Sequence, residues 1–121
     1  MRIQESAENY LETILQLSEN SDTVRAVDVA RALGFSKPSV SYAMKQFREN
    51  GYILVSASGA ITLTDSGREI AEHVLERHTL ITDMLVSIGV GEATAREDAC
   101  RIEHVISGET FDAIKNHMKK R

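Results

Sequence analysis

The stretch that most constrains this chain is Ala26 to Lys45, AVDVARALGFSKPSVSYAMK. It reads as a short helix, a break at Gly34, and a second helix opened by Ser36 as N-cap, with Pro38 in the first turn where a missing N–H does no harm. Small Ala30 lets the two helices approach, and Gly34 accepts the left-handed backbone of the turn. Val29, Leu33, Phe35, Val40 and Ala43 are the expected buried contacts. Together these are the offsets of a helix-turn-helix. A helix pair that only packs does not need all of them at once, so the second helix is expected to enter the major groove of duplex DNA.

The next residues extend the motif. Asn50-Gly51 ends the second helix, and two β-rich runs, Tyr52 to Val55 and Ile61 to Thr64, are joined by Ser56-Ala57-Ser58-Gly59-Ala60 as a hairpin. A helix-turn-helix followed by a hairpin is a winged helix. In that docking geometry Ser36, Pro38, Ser39 and Tyr42 point at base edges, and Lys37, Lys45 and Arg48 reach phosphates. The hairpin tip carries no Lys or Arg, so its contacts fall to Ser56, Ser58 and main-chain N–H groups. The net charge of -4 argues against indiscriminate nucleic-acid binding. The segment from 21 to 60 is nevertheless basic, with Arg25, Arg31, Lys37, Lys45 and Arg48 against Asp22, Asp28 and Glu49.

The flanking segments read as helices. Residues 5 to 18 are amphipathic, with Glu5, Asn9 and Glu12 as a polar stripe. Thr64 caps a long helix from Asp65 to about Ser87, whose apolar stripe is Ile70, Val74, Leu75, Ile81, Met84 and Leu85; this helix suits either its own core or a second subunit. Ile88 to Gly91 break it, Ala93 to Ile106 form the next helix, and Ser107 caps a last one through Lys120. The fold class is therefore mostly α: an N-terminal winged helix-turn-helix, residues 1–71, followed by an all-helical domain, residues 72–121.

That second part carries the other chemical signal. On a helix, Cys100, Glu103 and His104 stand at i, i+3 and i+4, which puts a thiolate, a carboxylate and an imidazole on one face within one turn. Divalent transition metals take four to six ligands, so other elements must complete such a site; Glu12 with Asn9, and His78, are the candidates upstream. The plainer alternative is a Cys that packs as a small hydrophobe beside a solvated Glu-His pair. A single cysteine excludes an internal disulfide and suits a reducing compartment. No apolar run approaches the ~20 residues of a membrane span, and no signal segment opens the chain, so a cytoplasmic protein with no membrane partner is expected.

Over essentially all of its length the chain resembles the metal-dependent repressors typified by the diphtheria toxin repressor and the manganese transport regulator. The likeness rests on SAENYLETILQL, SKPSVSYAMKQFRENGYI, ITLTDSGREIAE, Glu76-Arg77-His78 and DACRIEHVIS. It implies a winged helix, a helical dimerisation domain and a divalent-metal site bridging them, with the metal as co-repressor of uptake genes. The family's donors fall on Asn9, Glu12, His78, Cys100, Glu103 and His104. Manganese-type members carry aspartate and glutamate where Asn9 and Cys100 stand, and iron-type members carry Met and Cys, so this chain is a hybrid. The ancillary donors of the iron type fall on Thr82 and Arg96, and the third, SH3-like domain of longer members is not expected. The resemblance also places direct base contacts on Ser36, Pro38 and Tyr42. The expected function is a homodimeric repressor of metal homeostasis that binds a pseudo-palindromic operator with Fe²⁺ or Mn²⁺ as co-repressor; Co²⁺, Ni²⁺ or Zn²⁺ are substitutes in vitro. The rivals are a metal-independent regulator with Cys100 as redox switch and a small metalloenzyme, the latter disfavoured because it leaves the helix-turn-helix without purpose.

Overall fold

A computed structural model describes residues 3–120, with side chains from Ala7 onward; Glu5, as a side chain, and Arg121 lie outside the described residues. In chain order the elements are α1 (Ile3–Asn20), α2 (Ala26–Leu33), α3 (Lys37–Glu49), β1 (Ile53–Val55), β2 (Ile61–Leu63), α4 (Asp65–Ser87), α5 (Glu92–Ile102) and α6 (Gly108–Lys119). Contacts divide the chain into two compact units, Met1–Glu72 and His73–Arg121, with the boundary inside α4.

In the first unit α2 and α3 form the helix pair. Asp28 accepts the Arg25 backbone N–H at 2.9 Å, satisfying a donor just outside the first turn of α2. Gly34 ends α2 at φ 72°, a left-handed conformation in which a Cβ would be strained. Ser36 then caps α3 by accepting the Ser39 N–H at 3.3 Å. Strands β1 and β2 pair antiparallel with Ile53 opposite Leu63 and Val55 opposite Ile61. The Ile61 N–H also donates to the Val24 carbonyl at 2.7 Å, which fastens the hairpin to the segment before α2. The core is built from Leu11, Ile14, Leu15, Val29, Val40, Met44, Phe47, Ile53 and Ile61. One sequence expectation is corrected here: Phe35 is 46% exposed, lying beyond the end of α2, and its ring meets Tyr10 edge-on with centroids 5.7 Å apart. Met44 and Phe47, one turn apart on α3, fill the interior instead.

In the second unit α4, α5 and α6 bury Val74, Ile81, Ala95, Ala99 and Phe111. The Glu76 carboxylate lies 2.8 Å from Lys115 Nζ, tying α4 to α6, and this ammonium holds Glu76 below the usual carboxylate range. Helix α5 is shorter than its pattern predicts, ending at Ile102 rather than Ile106. The chain turns there, with the N–H groups of Val105 and Ile106 both donating to the Ile102 carbonyl at 3.0 and 3.2 Å. Ser107 then caps α6 by accepting the Thr110 N–H at 3.1 Å.

Gly67, in the first turn of α4, is decided by packing. A Cβ there would stand 2.1 Å from the Tyr52 carbonyl oxygen, an atom already engaged by the Thr64 N–H at 3.0 Å. Helix propensity alone favours Ala over Gly by about 1 kcal/mol. A clash with backbone reverses the sign, since overpacking costs roughly 1–3 kcal/mol and more where main chain must move. Gly67→Ala is therefore expected to lower the melting temperature; an unchanged or raised midpoint in a thermal scan would refute the close packing.

Candidate metal centre and nucleic-acid surface

The donors of the second unit converge on Glu103. Its residue is 1% exposed, although a carboxylate is costly to bury without compensation. His78, from α4, brings Nδ1 to 2.8 Å from Glu103 Oε1, and His104 brings Nε2 to 4.0 Å from Oε2. An ionised carboxylate only accepts, so with Glu103 ionised and the ring neutral Nδ1 of His78 carries the proton and Nε2 keeps the lone pair. Burial, then the charges of Arg96 and His104, hold the His78 imidazole below its ordinary value near 6.5. The neutral ring is the form that ligates metal.

This set, one carboxylate with two imidazoles, has the chemistry of a site for divalent first-row metals. Cys100 stands three residues earlier in the last turn of α5 and is exposed, whereas Glu103 is buried, so the shared spacing does not give them a shared environment. In the first unit Asn9 and Glu12 are one turn apart on α1; Asn9 is half-buried and Glu12 buried. Thr82 is buried, and Arg96 is exposed beside Glu92 at 3.3 Å, so neither offers the acidic or imidazole donor of an ancillary site.

The first unit displays the nucleic-acid candidates. Ser36, Lys37, Pro38, Ser39, Tyr42, Lys45 and Arg48 are all exposed along α3 and its cap, and Tyr42 is 67% exposed. The opposite face of the same helix supplies Val40, Met44 and Phe47 to the core. Ser58 is exposed at the hairpin tip. Sequence order hid one feature of that tip: Arg25, at the N-cap of α2, donates Nη1 to the Ser58 carbonyl and so brings a guanidinium to a loop that has no basic residue of its own. Only the backbone pairing of Ile61 with Val24 reveals this proximity.

A winged helix with an exposed second helix, joined to a helical unit that buries a carboxylate between imidazoles, defines a DNA-binding regulator with a metal-binding unit. Residues 2–61 match the family described as iron dependent repressor, N-terminal DNA binding domain, and residues 64–121 match iron dependent repressor, metal binding and dimerisation domain. The chain is 35% identical over 118 residues to an uncharacterised HTH-type transcriptional regulator of Methanocaldococcus jannaschii, covering 96% of this chain and 94% of that protein. It is 34% identical over 116 residues to the transcriptional regulator MntR of Escherichia coli, covering 96% and 75%. A solved manganese-dependent transcriptional repressor in complex with manganese superposes with a TM-score of 0.86 at 30% identity, over 93% of this chain and 52% of that one, so the chain spans about half the length of that structure. The chain belongs to the iron-dependent repressor family of metal-dependent transcriptional regulators, to which MntR also belongs. Among the described residues no helix is long and apolar enough to cross a membrane.

The depressed His78 pKa has a consequence for stability. As pH falls, the unfolded chain takes up this proton before the folded chain does, so the contribution of His78 is fully present above about 6.5 and is lost as pH falls from there toward the folded value. Titration of the chelated protein by ¹H–¹⁵N NMR is expected to give a His78 midpoint below 6.5. A midpoint above that value would make the contact with Glu103 a charged pair and reverse the sign.

Proposed function

We propose that this protein is a homodimeric repressor of metal-homeostasis genes, switched on by Fe²⁺ or Mn²⁺ and bound to a pseudo-palindromic operator. The observation that carries this reading is the buried Glu103 carboxylate flanked by the His78 and His104 imidazoles. Glu12, His78, Cys100, Glu103 and His104 are the proposed donors, and Asn9 is proposed as a neutral oxygen ligand. Glu12 and Glu103 are hard donors suited to Fe²⁺ and Mn²⁺ alike, and the Cys100 thiolate shifts the balance toward Fe²⁺. Asn9 supplies no charge, so one well-occupied ion per subunit is favoured over two. A divalent ion held by these donors would supply positive charge and would favour the DNA-competent arrangement to the extent that it bound that arrangement more tightly than others.

Dimerisation is supported by the apolar side chains that the second unit leaves in water, Val86 at 44%, Ile88 at 70% and Val105 at 73% exposed. A two-fold axis repeats α3 at two half-sites one helical turn apart, which gives the operator its symmetry. Within each half-site Ser36, Pro38, Ser39 and Tyr42 read bases, and Lys37, Lys45, Arg48 and Ser58 hold the backbone. Tyr42 offers its ring to a thymine methyl and its hydroxyl to a base edge.

Selection from a randomised duplex pool, followed by anaerobic anisotropy titrations with Mn²⁺, Fe²⁺, Co²⁺ and Zn²⁺, tests the reading. Affinity is expected to rise with Fe²⁺ or Mn²⁺, and equal affinity in the chelated protein would sink it. Tyr42→Ala should alter base preference, while Lys45→Ala should weaken every sequence alike and lower the salt slope by about 1. Cys100→Glu should move preference toward Mn²⁺. If Cys100→Ala leaves the metal order unchanged, the cysteine is not a donor.

A further inference from the structure

The turn that carries Glu103 and His104 is held from α4 by Arg77. Its Nη1 donates to the Glu103 carbonyl at 3.1 Å and reaches the Ile106 carbonyl at 3.5 Å, the edge of hydrogen-bonding range. Glu103 is the C-cap of α5, and Arg77 brings a donor to its carbonyl there. A cation there also complements the negative end of the helix dipole. The guanidinium lies 5.3 Å from the centroid of Phe111, a ring 3% exposed on α6. One side chain thus joins α4, the turn and α6. The next residue on α4, His78, takes the Glu103 carboxylate at 2.8 Å. Consecutive residues therefore grip Glu103 twice, Arg77 by its main chain and His78 by its side chain.

We propose that Arg77 is a positioning residue of the metal centre, clamping the 103–106 turn so that the Glu103 carboxylate and the His104 ring are presented in one fixed arrangement. The proposal rests on the reading of Glu103 and His104 as metal donors. A rigid donor set discriminates among ions by size and preferred geometry, whereas donors on a loose turn adapt to each ion and lose both affinity and discrimination. Arginine is required on physical grounds. Its Nη1 reaches two carbonyls while the guanidinium carbon stands over an aromatic ring, whereas a lysine ammonium keeps the charge but is a compact, strongly hydrated point that stacks less well on the ring.

The test uses the full chain, stripped with chelator and titrated with Mn²⁺ and with Co²⁺ by calorimetry, and the visible spectrum of bound Co²⁺ reports ligand geometry. Arg77→Lys and Arg77→Met are expected to weaken Mn²⁺ binding by roughly 10- to 100-fold, with Lys the milder, as removal of a group that orients a metal ligand does. Both should shift the Co²⁺ bands while circular dichroism stays that of a folded helical protein. A lowered melting temperature with wild-type metal affinity and an unchanged Co²⁺ spectrum, both measured well below melting, would make Arg77 merely structural and overturn the proposal. If Arg77→Met does not fold, Arg77→Lys decides by the same two readouts. Glu103→Ala separates the two readings. Wild-type Mn²⁺ binding in that variant removes the donor assignment and this proposal with it, whereas loss of binding there with wild-type behaviour of both Arg77 variants overturns the positioning role alone.

Discussion

The second unit is organised around the desolvation of one carboxylate. Taking Glu103 to 1% exposure removes water from an ion, a cost of several kcal/mol that only close compensating groups offset. A hydrogen bond with the His78 imidazole recovers part of it, and the His104 imidazole stands 4.0 Å away. A unit built only for stability does better with an apolar residue at such a position. An acid retained there, beside two imidazoles, is what the proposed metal reading accounts for.

The first unit solves a different problem, which is to present one face of a helix to solvent without fraying its start. Ser36 does this twice, accepting the Ser39 N–H at 3.3 Å and donating to the Ser39 hydroxyl at 2.9 Å, which fixes the first turn of α3. Phe47 anchors the far end between the rings of Tyr10 and Tyr52, with centroids 5.4 and 6.4 Å away. A helix held at both ends by core and cap gives the Tyr42 backbone a fixed position, which lowers the ordering cost of a contact made from this helix.

Much of this is legible in the residues because it depends on local rules. The Ser36 cap, the Gly34 turn, the hairpin after Gly51 and the Ser107 cap are signals of neighbouring residues, and each appears in the structure where its residue types place it. Sequence and structure part where long-range packing decides. Hydrophobicity alone sends Phe35 inside, but Met44 and Phe47 occupy the interior. The 93–106 pattern reads as one helix because nothing within it breaks periodicity, and the stop at Ile102 is stabilised by Arg77, 26 residues away from Glu103. Gly67 looks like a weak helix residue until the Tyr52 carbonyl is seen against it. The i, i+3, i+4 spacing finds Glu103 and His104, yet spacing alone does not foretell that Cys100 is exposed while Glu103 is not.

The hydrogen bond between His78 and Glu103 also constrains how the centre responds to protons. With Nδ1–H committed to Oε1, the ring offers Nε2 alone as a lone pair, and Glu103 then acts as the group that fixes the tautomer and orientation of His78. Were Nδ1 itself to hold a metal, that bond would have to break and its proton leave, and the ion would then compensate the Glu103 charge in its place. The first route orients a donor, and the second exchanges a proton for an ion. In both, a protonated His78 is excluded, and the burial that depresses its pKa keeps the ring in the neutral state either route requires. The same burial that makes Glu103 costly to desolvate thus keeps its neighbour His78 neutral.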